Sequence, residues 1–242
     1  MKVVSIHQPH YLIWLGLLDK IAKSDVFVVL DDVQYNKRSF QHRTLYSTDG
    51  GAKYLSLSVN SKGVQSGSLP IKDITLANPQ MLSTHFKTLV GRYGSRPGWP
   101  LVEGELAKIY AQKWKYLLDV NLELLQLTLD VFSLSPRIVL SSSLDTVEAK
   151  GALMYELTNM AGCDCYLSGN GAKEYMELVP KEKRLCDVEF QEFSHPVYPQ
   201  SVKAEFQAGV MALEWAIEDP DHFREDFKNF AAPSQPYRCI HD

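Results

Sequence analysis

Two kinds of hydrophobic pattern alternate along this chain. Val3 to Ile6 is a short β-branched run, which predicts a buried strand. His7-Gln8-Pro9-His10 stops it, because Pro9 has no backbone N–H and biases Gln8 toward extended geometry. Leu12, Leu15, Leu18, Ile21 and Ala22 then recur at helical spacing. Val26 to Leu30 is an unbroken apolar run and predicts a second buried strand. Strand, loop, helix and strand fall within about 30 residues, the minimum for a βαβ unit and hence for a parallel sheet.

Further along, Tyr54 to Val59 alternates like a strand, residues 60–70 form a Ser/Gly-rich loop, and Ile71 to Leu76 predicts another strand. Residues 80–93 and 103–132 carry helical stripes, separated by Pro97 to Pro100. Leu106, Ile109, Tyr110, Trp114, Leu117, Leu118, Leu122, Leu125 and Leu129 make the second stripe, whose function is core packing. Arg137 to Leu140 predicts a strand, and Ser141 to Ser143 a helix start. Leu153, Leu157 and Met160 mark the next helix. Tyr166 to Ser168 leads into Gly169-Asn170-Gly171, a short helix follows around Ala172 to Met176, and Val188 to Phe193 predicts a strand. Residues 205–242 read as a terminal helix plus tail. The fold expected is α/β: a mainly parallel sheet with helices on both faces, an N-terminal βαβ unit and an additional helical segment in the middle. One domain over 1–242 accommodates this, with a helical insertion around 80–132 and a helical tail from about 205.

Composition adds exclusions. Apolar residues are 45% and charged residues 22% of 242, so a core can be buried unaided. The net charge of −4 offers no basic excess, so no nucleic-acid partner is expected. Cys163 and Cys165 stand too close for the usual zinc spacing, so they, Cys186 and Cys239 read as reduced thiols. His7, Gln8, His10, Asp19, Lys20, Lys23 and Asp25 interrupt the apolar residues of 3–30, which a signal or membrane segment would not allow. The expectation is a cytoplasmic protein that engages no membrane.

Four clusters carry candidate chemistry. His7, Gln8, His10 and Tyr11 sit at a strand-to-helix turn, where ligands bind in open α/β sheets. Either imidazole can act as acid or base near neutral pH. Asp31 and Asp32 follow the second strand, and Asn36, Lys37, Arg38, Gln41, His42 and Arg43 come next. Those carboxylates can orient a base or hold a divalent ion, and the arginines can grip phosphate or carboxylate. Ser168, Gly169, Asn170 and Lys173 can cradle an anion after a strand. His195, Tyr198 and Gln200 form a fourth polar group. His7, His10, Asp31 and Asp32 are the catalytic candidates, and Gln8, Tyr11, Asn36, Lys37, Arg38, Arg43, Ser168, Gly169, Asn170, Lys173, His195 and Gln200 the substrate-binding ones; no metal ligand is assigned and no cofactor is named.

Ile6-His-Gln-Pro-His-Tyr-Leu-Ile-Trp-Leu-Gly16, Asp19 to Phe27 and Leu30 to Arg43 resemble the WbqC-like family, as do Tyr166 to Tyr175 and His195 to Gln200. The likeness covers roughly residues 1–200 and departs at Ile13, where proline is expected, and after Gln200. It implies a setting in bacterial surface-polysaccharide or O-antigen biosynthesis. Modification of an amino sugar follows, by acyl or aminoacyl transfer onto a nucleotide-linked sugar, with small-molecule substrates as partners. Two alternatives stay open. One is nucleotidylyl transfer, by analogy with the HxGH segment, with His7 and His10 on phosphates and magnesium at Asp31 or Asp32. The other is a non-catalytic sugar-nucleotide-binding protein.

Overall fold

The computed structural model describes residues 1–62 and 69–232. Cys239, the tail from 233 and residues 63–68 of the predicted loop lie outside the described residues. The strands are β1 (Val3–His7), β2 (Val26–Val29), β3 (Arg43–Tyr46), β4 (Lys53–Ser56), β5 (Val59–Asn60), β6 (Thr75–Leu76), β7 (Arg137–Leu140), β8 (Cys165–Ser168) and β9 (Asp187–Phe190). The helices are α1 (Leu15–Ala22), α2 (Met81–Tyr93), α3 (Glu103–Ala111), α4 (Leu117–Val131), α5 (Lys150–Met160), α6 (Lys173–Glu177), α7 (Leu213–Glu218) and α8 (Phe223–Ala231).

Five strands form a wholly parallel sheet in the order β7-β2-β1-β8-β9. The β1–α1–β2 unit is the predicted one, with Val4 beside Val26 and His7 beside Val29. Strands buried on both faces need apolar residues at successive positions, which explains the unalternated runs in β1 and β2. Phe27 and Val29 face a core built with α1, α2, α3, α4, α7 and α8. Val4, Ile6, Val26 and Val28 face a second core built with α5 and α6. Helices therefore cover both faces. Each fully buried Val, Leu, Ile or Phe contributes about 1.5–3 kcal/mol.

Chain direction gives this sheet its functional edge. From central β1 the chain moves outward through β2, and β7 lies beyond it. It then crosses to β8, on the other side of β1, and continues to β9. The winding thus reverses between β1 and β8. In open α/β sheets, ligands lie beyond the strand carboxyl ends at such a reversal.

Several boundaries differ from the sequence reading. Tyr54 to Val59 is divided between β4 and β5, and Ile71 to Leu76 becomes a 3₁₀ turn plus the two-residue β6. The long stripe at 103–132 is two helices, separated by Gln112 to Tyr116. Trp114 lies in that break, where its indole N–H donates to the Ile109 carbonyl at 2.8 Å. Arg43, expected at the end of a ligand loop, instead opens strand β3, which pairs with β4. Helix α1 starts at Leu15 rather than Leu12. Leu12 sits in the left-handed region (φ 48°), a conformation that costs a non-glycine residue about 1–2 kcal/mol. The surrounding chain holds it there: Thr44 Oγ1 donates to the Leu12 carbonyl at 2.9 Å, and the Ala212 N–H to that of Ile13 at 2.7 Å.

Candidate functional site

A cavity of about 910 Å³ lies at this edge, beside the ends of β1 and β8. His7 and Gln8 enter it from β1, Gly169, Asn170 and Gly171 from the turn after β8, and Gln191 and Phe193 from the chain after β9. Trp14, Gly16, Leu17 and Lys20 come from the α1 side, and Lys150, Leu153 and Met154 from α5. The histidine loop and the Gly-Asn-Gly turn thus meet at one cavity. Parallel pairing of β1 with β8 makes the meeting obligatory, because both carboxyl ends share one edge.

His7 is the best-positioned reactive group. Its backbone is fixed by the ladder, with the Leu30 N–H donating to the His7 carbonyl at 2.9 Å. Its Nδ1 lies 2.9 Å from the Gln8 carbonyl oxygen. A carbonyl only accepts, so Nδ1 carries the proton and Nε2 of the neutral ring keeps a lone pair. Burial, then the positive charge of Lys20, then His10 hold the His7 pKa well below its usual value, against a smaller upward pull from Gln8. The ring is neutral at pH 7 and able to take a proton.

His10 is placed differently. Its ring meets His7 edge-on at 4.6 Å and packs on Phe40 at 5.7 Å, but it does not line the main cavity. It borders a small apolar recess with Phe27, Asn121, Leu122 and Leu125, and its Nδ1 is buried without a partner. Burial, then Lys20, lowers its pKa to about 4. Of the two imidazoles, only that of His7 lines the main cavity.

The remaining candidates separate by what already occupies them. Tyr11 is fully buried, its hydroxyl bonded to His85 Nδ1 (2.8 Å) and Tyr110 Oη (2.7 Å), so it is a core group and not a ligand contact. Asp31 accepts from Ser141 Oγ (3.0 Å), the Ser142 N–H (2.9 Å) and Ser142 Oγ (2.7 Å), and Asp32 accepts from Ser141 Oγ at 2.5 Å. The two carboxylates tie the end of β2 to the turn after β7; neither lines the cavity. Arg43 lies over the Tyr54 ring at 4.1 Å and donates to the Arg38 carbonyl. It is a brace on the β3–β4 hairpin. Asn36, Lys37 and Arg38 are exposed away from the cavity lining.

Gln8 does reach the cavity, though its amide oxygen accepts from Gln41 Nε2 at 2.7 Å. Asn170 lines the cavity while its Nδ2 donates to the Gln191 carbonyl at 3.0 Å. Ser168 is buried beneath the turn, and Lys173 is exposed with its Nζ 5.9 Å from the Phe190 ring. Gln200 pairs with the Gln207 backbone at 2.8 and 3.1 Å, a loop staple. His195 packs among Phe193, Tyr198 and Phe206 and reaches the cavity only through Phe193.

Four cavity groups were not singled out from sequence: Lys20, Trp14, Phe193 and Gln191. Lys20 is 4% exposed on a helix whose other residues from Leu15 to Ile21 are also buried. Its ammonium donates to the Ile6 carbonyl at 3.2 Å, and burial lowers its pKa to about 8. On the helix it lies opposite Leu18 and Ala22, where a lysine reads as a solvated charge, so the sequence carried no signal for it. Trp14 meets Phe193 edge-on at 5.3 Å and lies directly over Gly16, where an added Cβ would stand 2.2 Å from the indole. Gly16→Ala should therefore push Trp14 out of the cavity wall and weaken ligand binding about ten-fold, roughly the loss of one aromatic contact of 0.5–1.5 kcal/mol. Titration of any cavity ligand against both proteins checks this; equal affinities would show that Trp14 contributes nothing. Gln191 Nε2 donates to the Gly16 carbonyl (2.7 Å) and Asp19 Oδ2 (2.6 Å), fixing α1 against the end of β9.

Fold and site together define a doubly wound α/β protein with a cavity at its switch point. The chain belongs to the WbqC-like protein family, whose profile matches residues 8–217. An uncharacterized protein of Mycobacterium tuberculosis (strain ATCC 25618 / H37Rv), Rv1507c, is 27% identical over 178 residues, which cover 73% of this chain and 76% of that one. No solved structure matches the chain. Among the described residues no helix is long and apolar enough to cross a membrane.

Proposed function

We propose that this protein is a transferase that moves an acyl or aminoacyl group onto the amine of a nucleotide-linked amino sugar, in bacterial surface-glycan biosynthesis. The observation that supports this best is His7: a neutral imidazole of fixed tautomer, its Nε2 free to accept, in a cavity at the sheet's switch point. Amide formation needs such a base. The sugar amine attacks the carbonyl carbon of a thioester or ester donor, the C–N bond forms, and the C–S or C–O bond breaks. The amine's proton passes to His7 Nε2 and then to the departing thiolate or alkoxide. The cavity volume falls within the usual range for small-molecule sites, roughly 300–1,000 Å³. Trp14, Tyr166 and Phe193 give it flat apolar walls for a nucleobase or sugar face.

Nucleotidylyl transfer keeps one supporting observation, the position of His7 between β1 and α1. Its second imidazole lies outside the cavity, and both carboxylates reserved for magnesium are engaged by Ser141 and Ser142. The direct test is to incubate the chain with nucleotide-linked amino sugars and acyl or aminoacyl donors, with and without magnesium, and follow products by mass. An amide on the sugar nitrogen is the expected product. Release of pyrophosphate in place of an amide would establish nucleotidylyl transfer. Binding of the sugars with neither product would make this a binding protein.

A further inference from the structure

We propose that the Lys20 ammonium, beside the His7 ring, is the point at which this cavity holds a phosphoryl anion, specifically the diphosphate of a nucleotide-linked substrate. The assignment rests on the transferase reading for the identity of that substrate and on the geometry for the anion.

Lysine is almost never fully buried unless something pairs with it, because removing its charge from water is costly. Lys20 is 4% exposed, yet no carboxylate lies within 4 Å of its Nζ among the described residues. Its bond is to a neutral backbone oxygen, Ile6 O, at 3.2 Å. The adjacent Asp19 does not serve it. That carboxylate faces Lys23, at 2.8 Å, and Gln191, at 2.6 Å. An ammonium has three donors, so the Ile6 carbonyl leaves capacity for further acceptors.

Lys20 lines the cavity, and no Asp or Glu lines it with it. The lining cations are Lys20, deep on α1, and Lys150, exposed at the rim on the first residue of α5. The two imidazoles nearest Lys20 are held neutral, so the site carries a single buried positive charge and a hydrogen-bonding ring rather than a repelling cluster. Such a site rejects cations and selects an anion. A diphosphate spans more than one contact, and the apolar walls of Leu30, Val33, Trp14 and Phe193 take the groups on either side of it. The arrangement also replaces Arg38 and Arg43 in the role their charge suggested. Both lie outside the cavity.

Calorimetric titration of inorganic pyrophosphate, with acetate as comparator, into the full chain at pH 7 tests this. The expected result is single-site pyrophosphate binding that weakens at least ten-fold, roughly 1.4 kcal/mol, in Lys20→Met and in Lys20→Gln. Circular dichroism confirms that each variant folds; Lys20→Gln removes the charge but keeps a polar tip. Lys150→Ala should change the affinity less than about three-fold, as expected of an exposed charge. Acetate should bind much more weakly than pyrophosphate. Wild-type pyrophosphate affinity in both Lys20 variants overturns the assignment, as does loss of binding in Lys150→Ala alone. Equal affinity for acetate overturns the phosphoryl preference. The two readings fail separately. Pyrophosphate binding at Lys20 with no amide product removes the transferase and keeps the anion site. Amide turnover with unchanged pyrophosphate affinity in the Lys20 variants removes the anion site and keeps the transferase.

Discussion

Replacing His7 by Asn is expected to lower kcat about 10²–10⁴-fold, roughly 3–5 kcal/mol of barrier, with a much smaller change in KM. Asn can reproduce one feature of this histidine. Its amide nitrogen can donate to the Gln8 carbonyl as Nδ1 does now. It cannot accept a proton at the position of Nε2, so the loss falls on the chemical step. The pH profile carries the same information. Burial and the Lys20 charge lower the His7 pKa, and a base must be unprotonated to work. The acidic limb of kcat/KM therefore lies below pH 6.5. His10→Asn is the contrast. His10 borders the recess against α4 rather than the cavity, so its loss should cost less than about ten-fold in kcat. Steady-state kinetics of both variants on a sugar that turns over decides the matter. A near-normal kcat in His7→Asn would end the base assignment, and a selective collapse in His10→Asn would move it to the second ring.

An anion at Lys20 would sharpen this chemistry. Lys20 is the second cause of the depressed His7 pKa, and its repulsion acts across the same cavity. A diphosphate there neutralises that charge, so the imidazole regains basicity when substrate is bound. Binding and proton transfer are then coupled through one side chain, which a low local dielectric makes effective.

The fold was legible where a single strong pattern governed the segment. Val3 to Ile6 and Val26 to Leu30 are buried on both faces, so nothing competes with their strand reading, and their spacing imposes the parallel pair. The parallel pairing of β1 with β8 then places His7 and Asn170 on one edge. The pattern failed where polar residues serve the fold. Arg43 carries a charge suited to ligands, but its guanidinium stacks on Tyr54, a partner 11 positions away that only strand pairing brings near. Asp31 and Asp32 read as catalytic because they follow a strand. Their partners, Ser141 and Ser142, stand some 110 residues on. Lys20 failed in the opposite sense. Amid Leu15, Leu18 and Ile21 it resembles a helix's solvated charge, and only the second layer of packing shows that no solvated face exists.

Lys20→Met is expected to stabilise the ligand-free protein at pH 7 by about 2 kcal/mol. Burial lowers the Lys20 pKa from 10.5 to about 8. The unfolded chain therefore binds more protons than the folded one between those values, and stability rises with pH across that window. Below pH 8 the full penalty of the buried charge applies, about 3 kcal/mol at 1.36 kcal/mol for each pKa unit. Met removes the charge at similar length. It forfeits the bond to the Ile6 carbonyl, worth about 0.5–1.5 kcal/mol, which leaves the net gain. For a chain of this size that is a rise in Tm of about 4–8 °C. Tyr166 and Tyr175 in the cavity wall have hydroxyls whose pKa burial raises above the ordinary tyrosine value, and they are common to both proteins and cancel in the difference. The gap should close between pH 8 and 10.5 and reverse beyond it, where neutral Lys20 keeps its hydrogen bond at no electrostatic cost. Chemical denaturation of both proteins at pH 7 and pH 10.5 measures it. A variant less stable than wild type at pH 7, or a gap indifferent to pH, would mean that Lys20 is held at no cost. A large gain would mark Lys20 as a residue retained against stability, the usual signature of a group kept for what it binds.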